Sequence, residues 1–191
     1  DWNKLVFRKL ATTKQTNLGI TGGSENSNYS LRLGFVDQEG LSIADGIKQY
    51  TLGLSMDTNL SKKIKAGATV NVSYVDIKSG EDDLLGQYTL NSSIAKARPD
   101  LPAYDANGNL LAQPDFAYGF ETLEPNPLMR LKNKTKNQSY NFIGNSYIEY
   151  EPIRKLKIKG DVNTAVFYTD NSAFIPGITQ TDFGVTNESY L

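Results

Sequence analysis

The stretch Asn28–Val36 reads N-Y-S-L-R-L-G-F-V. Tyr29, Leu31, Leu33 and Phe35 recur at every second position, with Ser30, Arg32 and Gly34 between them. Successive side chains of a strand leave opposite sides of the backbone. This spacing therefore predicts a β-strand with one apolar and one polar face. Lys48–Asp57 repeats the pattern, setting Tyr50, Leu52, Leu54 and Met56 against Thr51, Gly53, Ser55 and Asp57. Ile64–Tyr74 repeats it again, with Ile64, Ala66, Ala68, Val70, Val72 and Tyr74 opposing Lys65, Gly67, Thr69, Asn71 and Ser73. Leu156–Tyr168 begins in the same way, although Thr164 to Tyr168 alternate less cleanly. Gln15–Gly23 and Ser139–Tyr150 read as strands by content, and Ile143 and Tyr147 fall opposite Ile148 and Tyr150. The expectation is six strands in three hairpins.

The connections follow an order. Gly22–Ser27, Asn59–Lys63 and Glu151–Lys155 are tight polar turns. Between them lie a longer link, Asp37–Ile47, and a very long one, Ile77–Lys136. Short turns at one end and long loops at the other are the habit of outer-membrane barrels, whose periplasmic turns are short. Strands of about ten residues also suit a tilted crossing of the hydrocarbon. A soluble sandwich shows the same alternation, so periodicity alone does not separate the two. The long link carries aromatic residues and a stretch, Leu84–Arg98, that could hold a short helix. An ordered functional loop is expected there.

Composition narrows the chemistry. The 191 residues contain 20 Lys plus Arg, 21 Asp plus Glu, and neither His nor Cys. Near-zero net charge gives no argument for a nucleic-acid partner. The chain alone cannot build a Ser-His-Asp or Cys-His machine, a thiolate metal site or a disulfide. No catalytic residue, metal ligand or cofactor site is assigned. No run of apolar residues is long enough for a transmembrane helix, which leaves a barrel open. The opening Asp1-Trp2-Asn3 has neither Met nor a signal segment, as expected of a mature or truncated chain.

Several ordered segments resemble the SusC-like TonB-dependent transporters. Asp1-Trp2 with Phe7-Arg8 is similar to that family's opening segment, and Asn17-Leu18 leading to Gly22-Gly23-Ser24 to its first strand and turn. Tyr29 to Phe35 followed by Asp37-Gln38-Glu39-Gly40 resembles its next strand, and Tyr50-Thr51-Leu52 with Asp57 the one after. Ala97-Arg98-Pro99, Pro102-Ala103-Tyr104-Asp105, Asn107-Gly108-Asn109, Asn126-Pro127, Asn141 to Glu149 and Leu156-Lys157 continue the series in order. Leu52-Gly53-Leu54 lacks the family's usual Arg, and Phe35 replaces a usual Tyr.

The resemblance implies that residues 1–191 are the early part of a barrel of about 22 strands, after a plug domain that is not included. It implies an outer-membrane location and import of a glycan or peptide powered through TonB, which the plug contacts. It also implies a SusD-like surface lipoprotein as partner. With short turns periplasmic, Asp1–Thr13 lies outside, the first strand runs downward, and the 77–136 loop is extracellular. Tyr29, Leu31, Leu33, Phe35, Tyr50, Leu52, Leu54, Met56, Val70 and Val72 would face outer-membrane lipid. Arg32, Thr51, Asp57, Lys65 and Asn71 would face the lumen, together with Lys159 and Asp161. Tyr50, Tyr74 and Tyr150 are candidates for an interfacial aromatic girdle.

Plainer readings compete for the remaining features. Phe116, Tyr118 and Phe120 could stack on substrate sugar rings, but packing within the long loop is the stronger expectation. Asp105, Asn107 and Asn109 have calcium-loop spacing, yet position 116 is Phe where an acidic ligand belongs, so an Asx-rich turn is expected. Glu81-Asp82-Asp83 reads as a solvated cluster. N-x-S/T triplets such as those that begin at Asn59, Asn71, Asn91, Asn133, Asn137 and Asn187 are what an Asn-rich chain yields by chance. The rival to a transporter is a soluble or surface-exposed β-sandwich that binds carbohydrate or acts as an adhesin.

Overall fold

The computed structural model describes residues 1–79, 90–112, 117–119, 126–132 and 134–174. Its centre is one antiparallel sheet of six strands in the order of the chain, each paired with the next. The strands are β1 (Thr13–Gly23), β2 (Ser27–Glu39), β3 (Gly46–Ser61), β4 (Ile64–Lys78), β5 (Lys134–Ile153) and β6 (Leu156–Phe174). The sheet does not close on itself, so β1 and β6 leave their outer edges open. The expected all-β antiparallel barrel segment with three hairpins is what forms.

The strands run longer than the roughly ten residues expected from alternation. β5 spans 20 residues and β6 spans 19. Much of the added length lies at the loop end, where Lys136, Asn137, Asp170 and Asn171 continue the ladder. Backbone pairing does not require apolar side chains, so the strands outlast their hydrophobic pattern. The long links shrink accordingly, to 40–45 and 79–133. Thr164–Tyr168 alternate after all, since Thr164, Val166 and Tyr168 pair with Gly144, Phe142 and Tyr140.

The tight turns close through their own polar groups. Ser24 N–H donates to Ser27 O, and Lys63 N–H to Ser61 Oγ. In the last turn Lys155 takes φ 71°, a left-handed conformation, and its N–H is held by Glu151 Oε1 at 3.1 Å. Neighbouring hairpins are tied there too, because Glu151 N–H donates to Lys63 O at 2.8 Å.

At the opposite end the chain builds a small core of its own. Helix α1 (Trp2–Val6), helix α2 (Leu90–Lys96) and the short helix α3 (Pro127–Arg130) bring Trp2, Val6, Leu90, Ala103 and Leu128 together. Helix α2 falls within the 84–98 stretch that sequence marked. Asn126 caps α3 by accepting from Leu128 N–H at 2.9 Å, and its Nδ2 donates to Ala103 O and Leu111 O, both at 2.8 Å. Trp2 Nε1 donates to Arg98 O at 2.7 Å. Arg8 draws the 40–45 loop in, donating to the carbonyls of Gly40, Ser42 and Ile43.

Candidate functional site: two faces of one sheet and a loop core

Directly opposed residues of an antiparallel pair point to the same side, so the register assigns every side chain to a face. Leu18, Leu33, Leu52, Val72, Phe142 and Val166 form one row across all six strands. Ile20, Leu31, Leu54 and Val70 begin the next, and Tyr29 and Met56 the one after. All ten residues that sequence grouped as apolar therefore share one face. No second layer covers it among the described residues: Tyr29, Leu33, Leu54 and Phe142 stay exposed.

One edge of that face is aromatic. Phe35, Tyr50, Tyr74, Tyr140 and Tyr168 occupy a single register row. Successive ring centroids lie 5.0, 6.0, 4.8 and 6.0 Å apart. The next row outward is charged, with Lys14, Asp37, Lys48, Asp76 and Asp170. Tyr50 and Tyr74 thus belong to one aromatic row. Tyr150 lies at the other end of β5, paired with Ile64 and Ile158. Ile64–Tyr74, Tyr140–Tyr150 and Ile158–Tyr168 match end to end. Each rises about 33 Å along its strand, or about 25 Å along the barrel axis at barrel-like tilt, the height of a lipid-facing band.

The opposite face is polar, and Arg32, Thr51, Asp57, Lys65 and Asn71 all lie on it. At its turn end Tyr147 reaches from β5 across Gly67 of β4 and donates its hydroxyl proton to Asp57 Oδ1 on β3. Lys65 Nζ sits 3.8 Å from the same carboxylate, and Lys159 Nζ lies 4.7 Å from the Tyr147 ring centre. Asn145 Nδ2 donates to Asn163 Oδ1 at 2.6 Å, and Asn163 Nδ2 to Asp161 Oδ2 at 3.0 Å. Lys157 pairs with Glu149 at 2.8 Å. Val36, Ile47, Val75 and Ile77 towards the loop end, with Ile143 and Phe167, are apolar exceptions on this face.

In the long loop Asp105 is consumed by its own turn. Its Oδ1 accepts from Asn107 N–H at 2.9 Å and Asn109 N–H at 2.7 Å, and its Oδ2 accepts from Asn109 Nδ2 at 3.0 Å. Gly108 supplies the φ of 83° that the turn needs. The side-chain amide of Asn109, then its backbone N–H, hold the Asp105 carboxyl below the ordinary carboxylate range. An Asx turn, as expected, is what these residues build. Asp100 is likewise lowered, chiefly by its hydrogen bond from Arg98. Tyr118 is 54% exposed, so the packing expected of the loop aromatics is not met there. Phe116, Phe120 and Glu81-Asp82-Asp83 lie outside the described residues. Among the described residues no acidic cluster could hold a metal ion, and no helix is long and apolar enough to cross a membrane.

Register is what the sequence reading lacked. It did not foresee that Phe35, Tyr140 and Tyr168 join Tyr50 and Tyr74, nor that Tyr147 reaches Asp57. The only sequence signal for the latter was that Tyr147 falls out of phase with Tyr150.

A one-sided sheet with an aromatic border is barrel architecture, and known proteins match it. The chain is 32% identical to TonB-dependent receptor P26 of Formosa agariphila over 83% of its own length. It is 24% identical to TonB-dependent receptor P3 of the same organism over 99% of its length. The chain spans only 15% and 19% of those relatives. No family model matches. Among solved structures, the RagAB peptide importer in its closed-closed state superposes with a TM-score of 0.71 at 24% identity, over 92% of this chain and 20% of that one. The chain is thus a β-barrel segment of the TonB-dependent receptor class. Within that class its ordered motifs resemble those of the SusC-like members.

Proposed function

We propose that this segment forms part of the wall of an outer-membrane transporter that imports a nutrient oligomer, a glycan or a peptide, with energy delivered through TonB. The apolar face meets lipid and the polar face lines the lumen. The 79–133 loop, with its Trp2–Leu128 core, shapes the extracellular mouth, where a SusD-like surface lipoprotein acts as lid. The observation that carries this reading is the apolar face itself. It is continuous across six strands, exposed, and bounded by an aromatic row and then charges. In water such a face is an aggregation hazard, whereas against hydrocarbon it is the stable arrangement. The names of the relatives support the import class, and RagAB, a peptide importer, favours an oligomeric cargo.

The rival sandwich module needs a second sheet over the apolar face, and among the described residues there is one sheet. The test is uptake of fluorescent peptide and glycan pools by cells carrying the full-length protein. Uptake of one pool that stops when TonB is deleted is expected. Cells that accumulate neither pool, or do so equally without TonB, would contradict the proposal.

A further inference from the structure

The two ends of the apolar face differ in charge. At the loop end the charges beyond the tyrosines are mixed and pair with one another: Lys48 lies 4.0 Å from Asp37, and Lys136 pairs with Asp170. At the turn end the face closes with Ile153 and Leu156, an exposed pair just past Tyr150 and Ile158. Beyond them the two-residue turns are wholly cationic, with Lys62 and Lys63 between β3 and β4, and Arg154 and Lys155 between β5 and β6. These turns belong to adjacent hairpins and are held side by side. Glu151 N–H donates to Lys63 O at 2.8 Å, and Lys63 Nζ donates to Pro152 O at 3.0 Å. Glu151, at the mouth of the second turn, accepts from the backbone N–H of Lys155. The side chains of Lys62, Arg154 and Lys155 are exposed and make no hydrogen bond or ion pair among the described residues. Like charges fixed on neighbouring hairpins repel one another and gain from a shared anion.

We infer that these tied turns bind the headgroup of an anionic phospholipid in the leaflet that the turn end reaches, which in the proposed orientation is the periplasmic one. The acyl chains lie against Tyr150, Ile153 and Leu156, and the phosphate meets Lys62, Arg154 and Lys155. Long basic side chains at the edge of hydrocarbon lay their stems on apolar surface and carry their charge to headgroup level. Lysine and arginine at a leaflet surface attract anionic lipid, and a guanidinium adds paired N–H bonds to a phosphate. An acidic protein segment would answer the cations but leave Ile153 and Leu156 against water. A lipid answers both, because the cations continue directly from the apolar face. The inference rests on the proposed function, in which that face meets lipid.

The test uses the full-length protein in bilayers of equal parts phosphatidylglycerol and phosphatidylcholine with identical acyl chains. A photoreactive amino acid is placed at Ile153, or at Phe35 near the other end of the face, and the lipid adducts are identified by mass spectrometry. At Ile153 the phosphatidylglycerol adduct is expected to exceed the phosphatidylcholine adduct severalfold, whereas at Phe35 the two should be equal. Combining Lys62→Gln, Arg154→Gln and Lys155→Gln should bring the ratio at Ile153 close to one, with labelling at Phe35 confirming that the variant is inserted. Equal adducts at Ile153 in the parent, the same preference at both positions, or a preference that survives the three substitutions overturns the inference and leaves the lipid-facing assignment in place. Absence of lipid adducts at both positions overturns it together with the proposed function.

Discussion

Tyr147 and Asp57 sit on strands that do not touch, yet they share a hydrogen bond because Gly67 on the strand between them carries no side chain. A Cβ at Gly67 would lie 2.3 Å from Tyr147 Cε1 and 2.6 Å from Asp57 Oδ1. Gly67→Ala is therefore expected to push the ring aside and destabilise the folded barrel by about 1–3 kcal/mol. Tyr147→Phe keeps the ring and loses only the hydroxyl, at about 1 kcal/mol. Urea unfolding of the full-length protein in detergent measures both. A Gly67→Ala variant as stable as the parent would show that the bond contributes nothing.

The two faces should differ sharply in their tolerance of charge. Leu33 and Leu54 lie in the middle rows of the apolar face, whereas Thr51 and Asn71 lie opposite. Arg at either Leu is expected to cost roughly 2–4 kcal/mol in a bilayer, and Arg at Thr51 or Asn71 close to nothing. Reversible folding into lipid vesicles gives the values. Equal costs at all four positions would refute the face assignment.

Asn126 is fully buried and satisfies three backbone groups from three parts of the loop. Asn126→Ala strands Leu111 O and Leu128 N–H, each costly when dry, and leaves Ala103 O with only its bond from Leu111 N–H. A local loss of about 2–3 kcal/mol is expected, read as faster amide exchange in α3 with the sheet unchanged. Unchanged exchange at Leu128 and Met129 would remove Asn126 from this role.

The Asp105 turn carries a pH dependence of known sign. Its folded carboxyl is lowered, so its contribution is present above the unfolded value, near 4, and is lost as pH falls through the folded value. Exchange protection at Asn107 and Asn109, corrected for intrinsic rates, should hold from neutral pH to about 5 and fall away below it. Asp105→Asn should flatten the profile. A turn equally protected at pH 3 would contradict the account.

Much of this architecture was readable from residue order alone. Alternation at Tyr29–Phe35, Tyr50–Met56 and Ile64–Tyr74 placed strands and faces, because period two is a local property of the backbone. Gly, Asn and Lys clusters placed the tight turns. What escaped depends on pairing between distant segments. Nothing near Tyr168 announces that it lies 6.0 Å from Tyr140, and nothing near Gly67 announces Tyr147 above it. Strand ends escaped for another reason: pairing at Lys136 and Asp170 continues after the hydrophobic signal has stopped. The loop core joins Trp2 to Leu128, which β1 to β4 separate in the chain, a contact no local pattern encodes.

The central claim is that one face of this sheet lies against lipid. Nitroxide labels placed singly at Leu33, Leu54, Val72 and Phe142, and at Arg32, Thr51, Asn71 and Asn145, test it in the full-length protein in bilayers. The account predicts that the first four relax with dissolved oxygen and ignore a water-soluble nickel chelate. It predicts low oxygen access for the second four, which face plug or water. Indistinguishable oxygen access for the two sets, or the reverse order, would contradict it.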